Sequence, residues 1–182
     1  MKAFCMINFR SFYVAFVAVA ALSMTGCSGS VMDDLPTYEQ SSIVKEGDVA
    51  PLFSATLIDG GEVSLEEYRG KPMMLILFSH TCADCKAFFD DLQRLIDDGA
   101  ELPSLLAVGR DATAAELLGF RAENGYTIDM VSDARRAIYG LYATAYVPRV
   151  YVVGADGRVV MFRVEYKPHY LVELLECVKA LD

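Results

Sequence analysis

Residues 73–89 read MMLILFSHTCADCKAFF, an apolar run that leads directly into two cysteines three positions apart. The run is continuously apolar through Phe78, which predicts a central strand covered on both faces of a sheet. The apolar positions that follow recur at helical spacing and predict a helix from about Cys82 to Asp98. A strand, a tight connection and a helix that opens on C-x-x-C therefore form the centre of the predicted fold.

The two cysteines of this motif, Cys82 and Cys85, suit thiol chemistry. Residues at positions i and i+3 share one face of a helix, and the unpaired N–H groups of its first turn stabilise a thiolate. One sulfur can then attack a disulfide while the other resolves the mixed disulfide. The spacing alone also permits a permanent bridge or a metal site.

The rest of the chain alternates strands with helices. Residues 52–57 and 62–65 predict a β-hairpin. Further strands are predicted at residues 105–108, 128–132, 150–153 and 159–162, and further helices after Thr113, over 134–142 and over 170–181. The order predicts an α/β fold in which a mixed central sheet carries helices on both faces and an N-terminal hairpin extension.

Length and charge limit the choice of partners. The chain has 182 residues, of which 54% are hydrophobic, which is enough for one domain with a substantial core. Its formal net charge of −9 argues against nucleic acid or an anionic membrane surface as the main partner. We expect a monomer that binds no nucleic acid.

Residues 1–26 have the pattern of an export signal. Lys2 and Arg10 are followed by the apolar run of residues 12–22, which is too short to span a bilayer. The sequence MTGC at residues 24–27 resembles the lipobox of bacterial lipoproteins, which implies lipidation of Cys27. We therefore expect a signal peptide over 1–26, a lipid anchor and flexible tether over 27–45, and a domain over 46–182.

An exported lipoprotein is placed in the bacterial cell envelope, facing the periplasm or the outer surface. Disulfides persist in such a compartment, so an exported C-x-x-C is either a permanent bridge or a couple kept reduced by a dedicated donor. Besides Cys27 and the C-x-x-C pair, the expected mature chain has one more cysteine, Cys177, which lies among leucines of the last predicted helix. We interpret it as a core residue rather than a redox partner.

Four further features occur in an order that resembles a known family. Together they resemble the TlpA/ResA-like thiol-disulfide oxidoreductases of the AhpC/TSA–thioredoxin superfamily, in their lipoprotein form. The matching segments are EGDVAPLF at 46–53, DGGEVSL at 59–65 with YRGKP at 68–72, CADC at 82–85, and YVP at 146–148 with DGR at 156–158.

The resemblance implies a thioredoxin fold and a role for each site residue. Cys82 would be the exposed nucleophile and Cys85 the buried resolving thiol. The Val147–Pro148 peptide bond would be cis, with Val147 placed to pair with an extended substrate backbone. The implied partners are protein thiols or disulfides and an envelope electron donor, and the only cofactor is the redox-active disulfide itself, with no metal.

The sequence departs from the family pattern at three positions. Thr81 stands where the family usually has a tryptophan before the first cysteine. Ile76 replaces the buried aspartate of thioredoxin, and Phe88 replaces the glutamate of the cytochrome-maturation members. Two side chains that usually accept a proton in this family are therefore missing. For this reason the resemblance does not imply a specific substrate such as apocytochrome c.

Three neighbours of the cysteines are candidates to adjust their chemistry. His80 is a possible proton shuttle. Asp84 repels a nearby thiolate, which makes the disulfide harder to reduce, and Lys86 opposes this in part. We expect a reducing rather than a strongly oxidising couple.

Three other functions compete with this interpretation. A thiol peroxidase is suggested by the spacing of Ser79 and Cys82, although the proline typical of such a site is replaced by Leu75. A copper-binding assembly protein would use Cys82, Cys85 and a histidine such as His169, because soft thiolates suit Cu(I). A binding lipoprotein would keep the cysteines only as a structural bridge, which closes a very short loop and stabilises little.

Overall fold

A computed structural model describes residues 35–181. A two-stranded hairpin precedes a five-stranded sheet, and one 3₁₀ turn, Leu65–Tyr68, joins them. The strands are β1 (Ser54–Thr56), β2 (Glu62–Ser64), β3 (Met73–Phe78), β4 (Ser104–Arg110), β5 (Met130–Asp133), β6 (Arg149–Val153) and β7 (Val159–Val164). The helices are α1 (Ala83–Asp97), α2 (Ala114–Asn124), α3 (Tyr139–Tyr142) and α4 (Pro168–Lys179).

The main sheet has the strand order β5-β4-β3-β6-β7. Strands β3, β4 and β5 run parallel, whereas β6 and β7 pair antiparallel beside β3. This mixed sheet confirms the predicted thioredoxin fold, and the antiparallel pairing of β1 with β2 confirms the hairpin extension.

Strand β3 is buried along its whole length because both faces of the sheet are covered. Its alternate residues face two separate apolar clusters, as the two-residue period of a strand requires. Met74, Ile76 and Phe78 pack with residues from α1, α2 and α4. Met73, Leu75 and Leu77 pack with the hairpin and α3. The predicted central strand is confirmed, and it delivers the cysteines to one edge of the sheet.

Three element boundaries differ from prediction. The helix predicted over 134–142 is reduced to α3, because Arg136 has a left-handed φ of 57° that interrupts a helix, and the Asp133 carboxylate accepts the N–H groups of Ile138 (3.1 Å) and Tyr139 (2.7 Å) where the helix starts. Strand β5 begins two residues later than predicted. Helix α4 begins at Pro168, because a proline at the first helical turn needs no hydrogen-bond partner for its nitrogen.

The compact unit also begins earlier than the predicted boundary at residue 46. It extends from Pro36, and Ser41 and Ser42 are buried within it. Ser42 forms an isolated antiparallel bridge with Ala143. Ser41, Ser42 and Val44 are therefore buried in this unit, while residues 37–40, 43 and 45 are exposed, and the predicted tether and domain bounds stay a prediction. The predicted signal peptide, Cys27 and the chain as far as residue 34 lie outside the described residues.

Within residues 35–181, no helix is both long enough and apolar enough to cross a membrane.

Candidate active site

The two cysteines occupy different environments at the start of α1. Cys82 is the N-cap residue, and its Sγ accepts the N–H of Cys85 at 3.4 Å, while its own N–H donates to Ser79 O at 3.1 Å. Cys82 is partly exposed, whereas Cys85 is 0% exposed, and both are free thiols. The site therefore offers one accessible sulfur with a second, buried sulfur behind it.

Burial is the main influence on Cys85. It raises the pKa of this thiol well above its ordinary value, and the hydrogen bond and charge of Cys82 raise it further. A backbone hydrogen bond from Ser79 and the charge of Arg110 act in the opposite direction without offsetting the burial. Cys85 is therefore a neutral thiol at physiological pH and must lose its proton before it can attack a disulfide.

The loop before β6 forms the other side of the site. The Val147–Pro148 peptide bond is cis, as the family resemblance implies. Val147 O accepts a contact from the Cys82 thiol at 3.7 Å, and both side chains pack against the same apolar cluster. The exposed sulfur and a main-chain carbonyl that can meet an extended peptide thus lie side by side.

His80 is turned toward α2. Its ring lies edge-on to Phe120, with centroids 6.5 Å apart, and its buried Nδ1 has no hydrogen-bond partner among the described residues. Hydrogen bonds with the backbone and side chain of Thr113 lower the pKa of Glu116, and the nearby charge of His80 lowers it further. His80 thus contacts residues of α2. Its role as a proton shuttle stays a prediction.

Asp84 and Lys86 are both exposed on the first turns of α1. The Lys86 ammonium donates to both carboxylate oxygens of Asp90, each at 2.9 Å. Asp90 also accepts the hydroxyl of Tyr126 at 2.6 Å. Because Lys86 is paired in this way, its charge is less available to offset Asp84, and the tuning roles of both remain predictions.

Arg110 was not identified from the sequence. It ends β4, and Gly109 beside it is in register with Phe78, so Arg110 reaches the sheet edge that carries the cysteines. Its guanidinium lies 4.8 Å from the centre of the Tyr139 ring, and its buried Nε has no hydrogen-bond partner within residues 35–181. The predicted topology could have identified Arg110, because adjacent parallel strands end at the same edge of a sheet.

Metal binding requires a cluster of suitable side chains. In the part of the chain that the structure describes, no group of three or more His, Cys, Asp or Glu residues could hold a metal ion. His169 packs against Tyr170 on α4 instead, with ring centroids 4.7 Å apart. The three ligands named for the copper-binding alternative, Cys82, Cys85 and His169, are therefore not brought together within the described residues.

Comparison with known proteins adds to this geometry. The profile of the AhpC/TSA family matches residues 46–162. The chain belongs to the AhpC/TSA family. Within it, the chain is 25% identical over 126 residues to the thiol-disulfide oxidoreductase ResA of Bacillus thuringiensis, covering 67% of this chain and 69% of that protein. It is 27% identical over 126 residues to ResA of Oceanobacillus iheyensis, covering 66% of each chain.

A solved structure is similar as well. It is the solution structure of a candidate protein disulfide isomerase from Bacteroides thetaiotaomicron, with a TM-score of 0.68 and 26% identity, covering 78% of this chain and 92% of the other. The family match and these similar proteins bear out the predicted family resemblance, the thioredoxin fold and the enzyme class of thioredoxin-like thiol-disulfide oxidoreductase, whereas the lipoprotein form stays a prediction.

Proposed function

We propose that this chain is a membrane-anchored thiol-disulfide oxidoreductase that reduces disulfides in exported proteins. One observation carries the proposal: a partly exposed Cys82 caps α1 beside Val147 O, while a fully buried Cys85 donates its N–H to the Cys82 sulfur. This arrangement suits a two-step exchange in which an accessible thiol attacks and a protected thiol resolves.

The reaction begins at Cys82. Its thiolate attacks one sulfur of a substrate disulfide, which forms a Cys82–substrate disulfide and releases the other substrate sulfur as a thiolate that takes up a proton. Cys85 then loses its proton and attacks the Cys82 sulfur. This step forms the Cys82–Cys85 disulfide and releases the second substrate thiol, so two electrons pass from the enzyme to the substrate.

The cycle requires a reductant, because each turnover leaves the Cys82–Cys85 pair oxidised. We assign this role to a dithiol electron donor of the cell envelope, and we propose no cofactor beyond the cysteine pair. The lipobox-like sequence at residues 24–27 supports this location, because lipidation of Cys27 would hold the domain at a membrane of the bacterial envelope. The negative net charge of −9 is consistent with attachment through lipid rather than through an anionic surface.

Insulin reduction by dithiothreitol tests the activity. The wild-type protein should accelerate it, and Cys82→Ser should abolish the acceleration. Cys177→Ser is the matched control, since Cys177 is also a free thiol but lies on α4, and it should retain full activity. A Cys82→Ser, Cys85→Ser double variant with wild-type activity would overturn the proposal. Hydrogen peroxide in place of insulin tests the peroxidase alternative, for which we expect no comparable turnover.

Metabolic labelling with a radioactive fatty acid tests the anchor. The full chain should incorporate label and sediment with membranes, whereas Cys27→Ser should lose both properties. Label retained by Cys27→Ser would contradict lipidation at this residue.

A further inference from the structure

Arg149 is a buried cation next to the candidate active site. It follows Pro148 directly, begins β6 and is 0% exposed. Its guanidinium donates three hydrogen bonds, from Nε to Ala145 O (2.9 Å), from one terminal nitrogen to Ser42 Oγ (2.8 Å) and from the other to Ser41 Oγ (2.6 Å). It forms no ion pair with any carboxylate in residues 35–181.

A buried arginine without an anion is costly, and an apolar side chain of similar size would pack there without that cost. Its three oxygen partners are therefore the feature that distinguishes this arginine from an apolar residue. Two of them belong to residues 36–44, which we name the strap. The third, Ala145, belongs to the loop of residues 144–148, which we name the Pro148 loop.

The strap contacts the Pro148 loop at further points. The Tyr146 hydroxyl donates to Pro36 O at 2.6 Å, and the rings of Tyr38 and Tyr146 meet edge to face with centroids 4.9 Å apart. The N–H of Thr144 donates to Ser41 O at 2.9 Å. The strap thus contacts the Pro148 loop at Thr144, its first residue, and at Tyr146, the residue just before Val147.

Tyr146 gives a physical reason for such support. Its φ of 68° lies in the left-handed region, which side chains other than glycine rarely adopt. A residue in this conformation persists only where surrounding contacts fix it. The strap supplies two of these contacts, and the Tyr139 hydroxyl, which donates to Tyr146 O at 2.8 Å, supplies another.

We propose that the strap and Arg149 are positioning elements for polypeptide substrates, which they serve by fixing Val147 beside Cys82. The inference rests on the proposed function. A polypeptide disulfide needs both the Cys82 sulfur and the Val147 main chain, whereas a small disulfide without a peptide backbone needs only the sulfur. Loosening the strap should therefore weaken polypeptide turnover selectively.

Two substrates and three variants test this inference. The substrates are a short peptide closed by an intramolecular disulfide and the small aromatic disulfide 5,5′-dithiobis(2-nitrobenzoate). The double variant Ser41→Ala, Ser42→Ala removes two partners of Arg149. Tyr146→Phe removes only the hydroxyl bond to Pro36 and keeps the ring, so it remains informative where the double variant fails to fold. Glu39→Gln is the control, because Glu39 lies on the strap but its side chain is exposed and, within residues 35–181, forms an ion pair with Lys45 alone.

For the double variant we expect KM for the peptide to rise about fivefold to tenfold, and for Tyr146→Phe about threefold. The rate with the small disulfide should stay within about twofold of the wild type, and Glu39→Gln should match the wild type on both substrates. An equal loss on both substrates, or no loss on either, overturns the positioning role. A wild-type protein that reduces neither substrate overturns the proposed function, and this inference with it.

Discussion

The two sides of the site are built in different ways. The dithiol wall, residues 79–89, is one continuous stretch in which Ser79, Cys82 and Cys85 hydrogen-bond to one another and the apolar face of α1 enters the core. The loop wall, residues 144–149, is held by strap residues more than 100 positions earlier in the chain. The comparison teaches that the Cys82 sulfur is fixed by local structure and core packing, whereas Val147, the proposed substrate-binding residue, depends on distant polar contacts.

Tyr139 links the two walls. Its ring lies under the guanidinium of Arg110, whose charge acts on Cys85, and its hydroxyl donates to Tyr146 O in the loop wall. A change at Tyr139 should therefore affect both walls, whereas the substitutions below separate them.

Removing a buried side chain of the dithiol wall should give the largest difference in stability between the two walls. Phe89→Ala removes a fully buried ring of α1 that meets Phe78 at a centroid distance of 4.7 Å, and should lower the free energy of unfolding by about 3–5 kcal/mol. Tyr146→Phe removes one hydrogen bond from the loop wall and should lower it by about 1 kcal/mol. Chemical denaturation measures both values. Arg94→Ala, exposed on α1, is the control and should change it by less than about 0.5 kcal/mol. Equal losses of unfolding free energy for Phe89→Ala and Tyr146→Phe would contradict the proposed difference between the two walls.

Arg110→Met should slow the resolving step severalfold at neutral pH. Burial already raises the pKa of Cys85, and loss of the arginine charge, which opposes that rise, should raise it further. Since attack requires the Cys85 thiolate, the rate should increase about tenfold per pH unit below this pKa, and the variant's profile should shift to higher pH. Single-turnover decay of a Cys82 mixed disulfide, followed by acid quench and mass spectrometry, measures the rate. Arg94→Met should leave the profile unchanged, and an unshifted profile for Arg110→Met would rule out the electrostatic role.

Asp84→Asn should produce the smallest effect, because Asp84 is exposed to solvent. Removing its negative charge favours a thiolate and hence the reduced form, so the equilibrium with glutathione should shift toward the reduced protein by about twofold to fivefold. The wild-type couple should be reducing. Asp98→Asn, at the far end of α1, should not shift the equilibrium. If the equilibrium of Asp84→Asn shifts toward the oxidised protein, the predicted direction of the Asp84 effect is wrong.

The sequence was sufficient to predict the dithiol wall, because its determinants are local. The apolar run of β3, the C-x-x-C spacing and the helical period of α1 all lie within residues 73–96, and the hairpin and mixed sheet follow from similarly short patterns. The cis bond at Val147–Pro148 came from the family resemblance rather than from local physics.

The contacts that support the loop wall could not be predicted, because they are tertiary. Ser41 and Ser42 belong to a short polar stretch that has the composition of a solvated tether, and their structural roles depend on contacts with Ala143, Thr144 and Arg149, which lie far along the chain. The role of Arg110 was also hidden in the sequence, because an arginine at a strand end normally indicates solvent exposure. Helix α3 is shorter than predicted because Arg136 is left-handed and the Asp133 carboxylate accepts the first N–H groups of the helix, and the helical period reveals neither feature.

The most direct test is to trap the mixed disulfide with Cys85→Ser. The reduced variant is incubated with an insulin disulfide, quenched with acid, digested and mapped by mass spectrometry. The account predicts a stable adduct of one insulin chain on Cys82, with Cys177 unmodified, and no such accumulation in the wild type. An adduct on Cys177, or the absence of any adduct while the variant still reduces insulin, would contradict it.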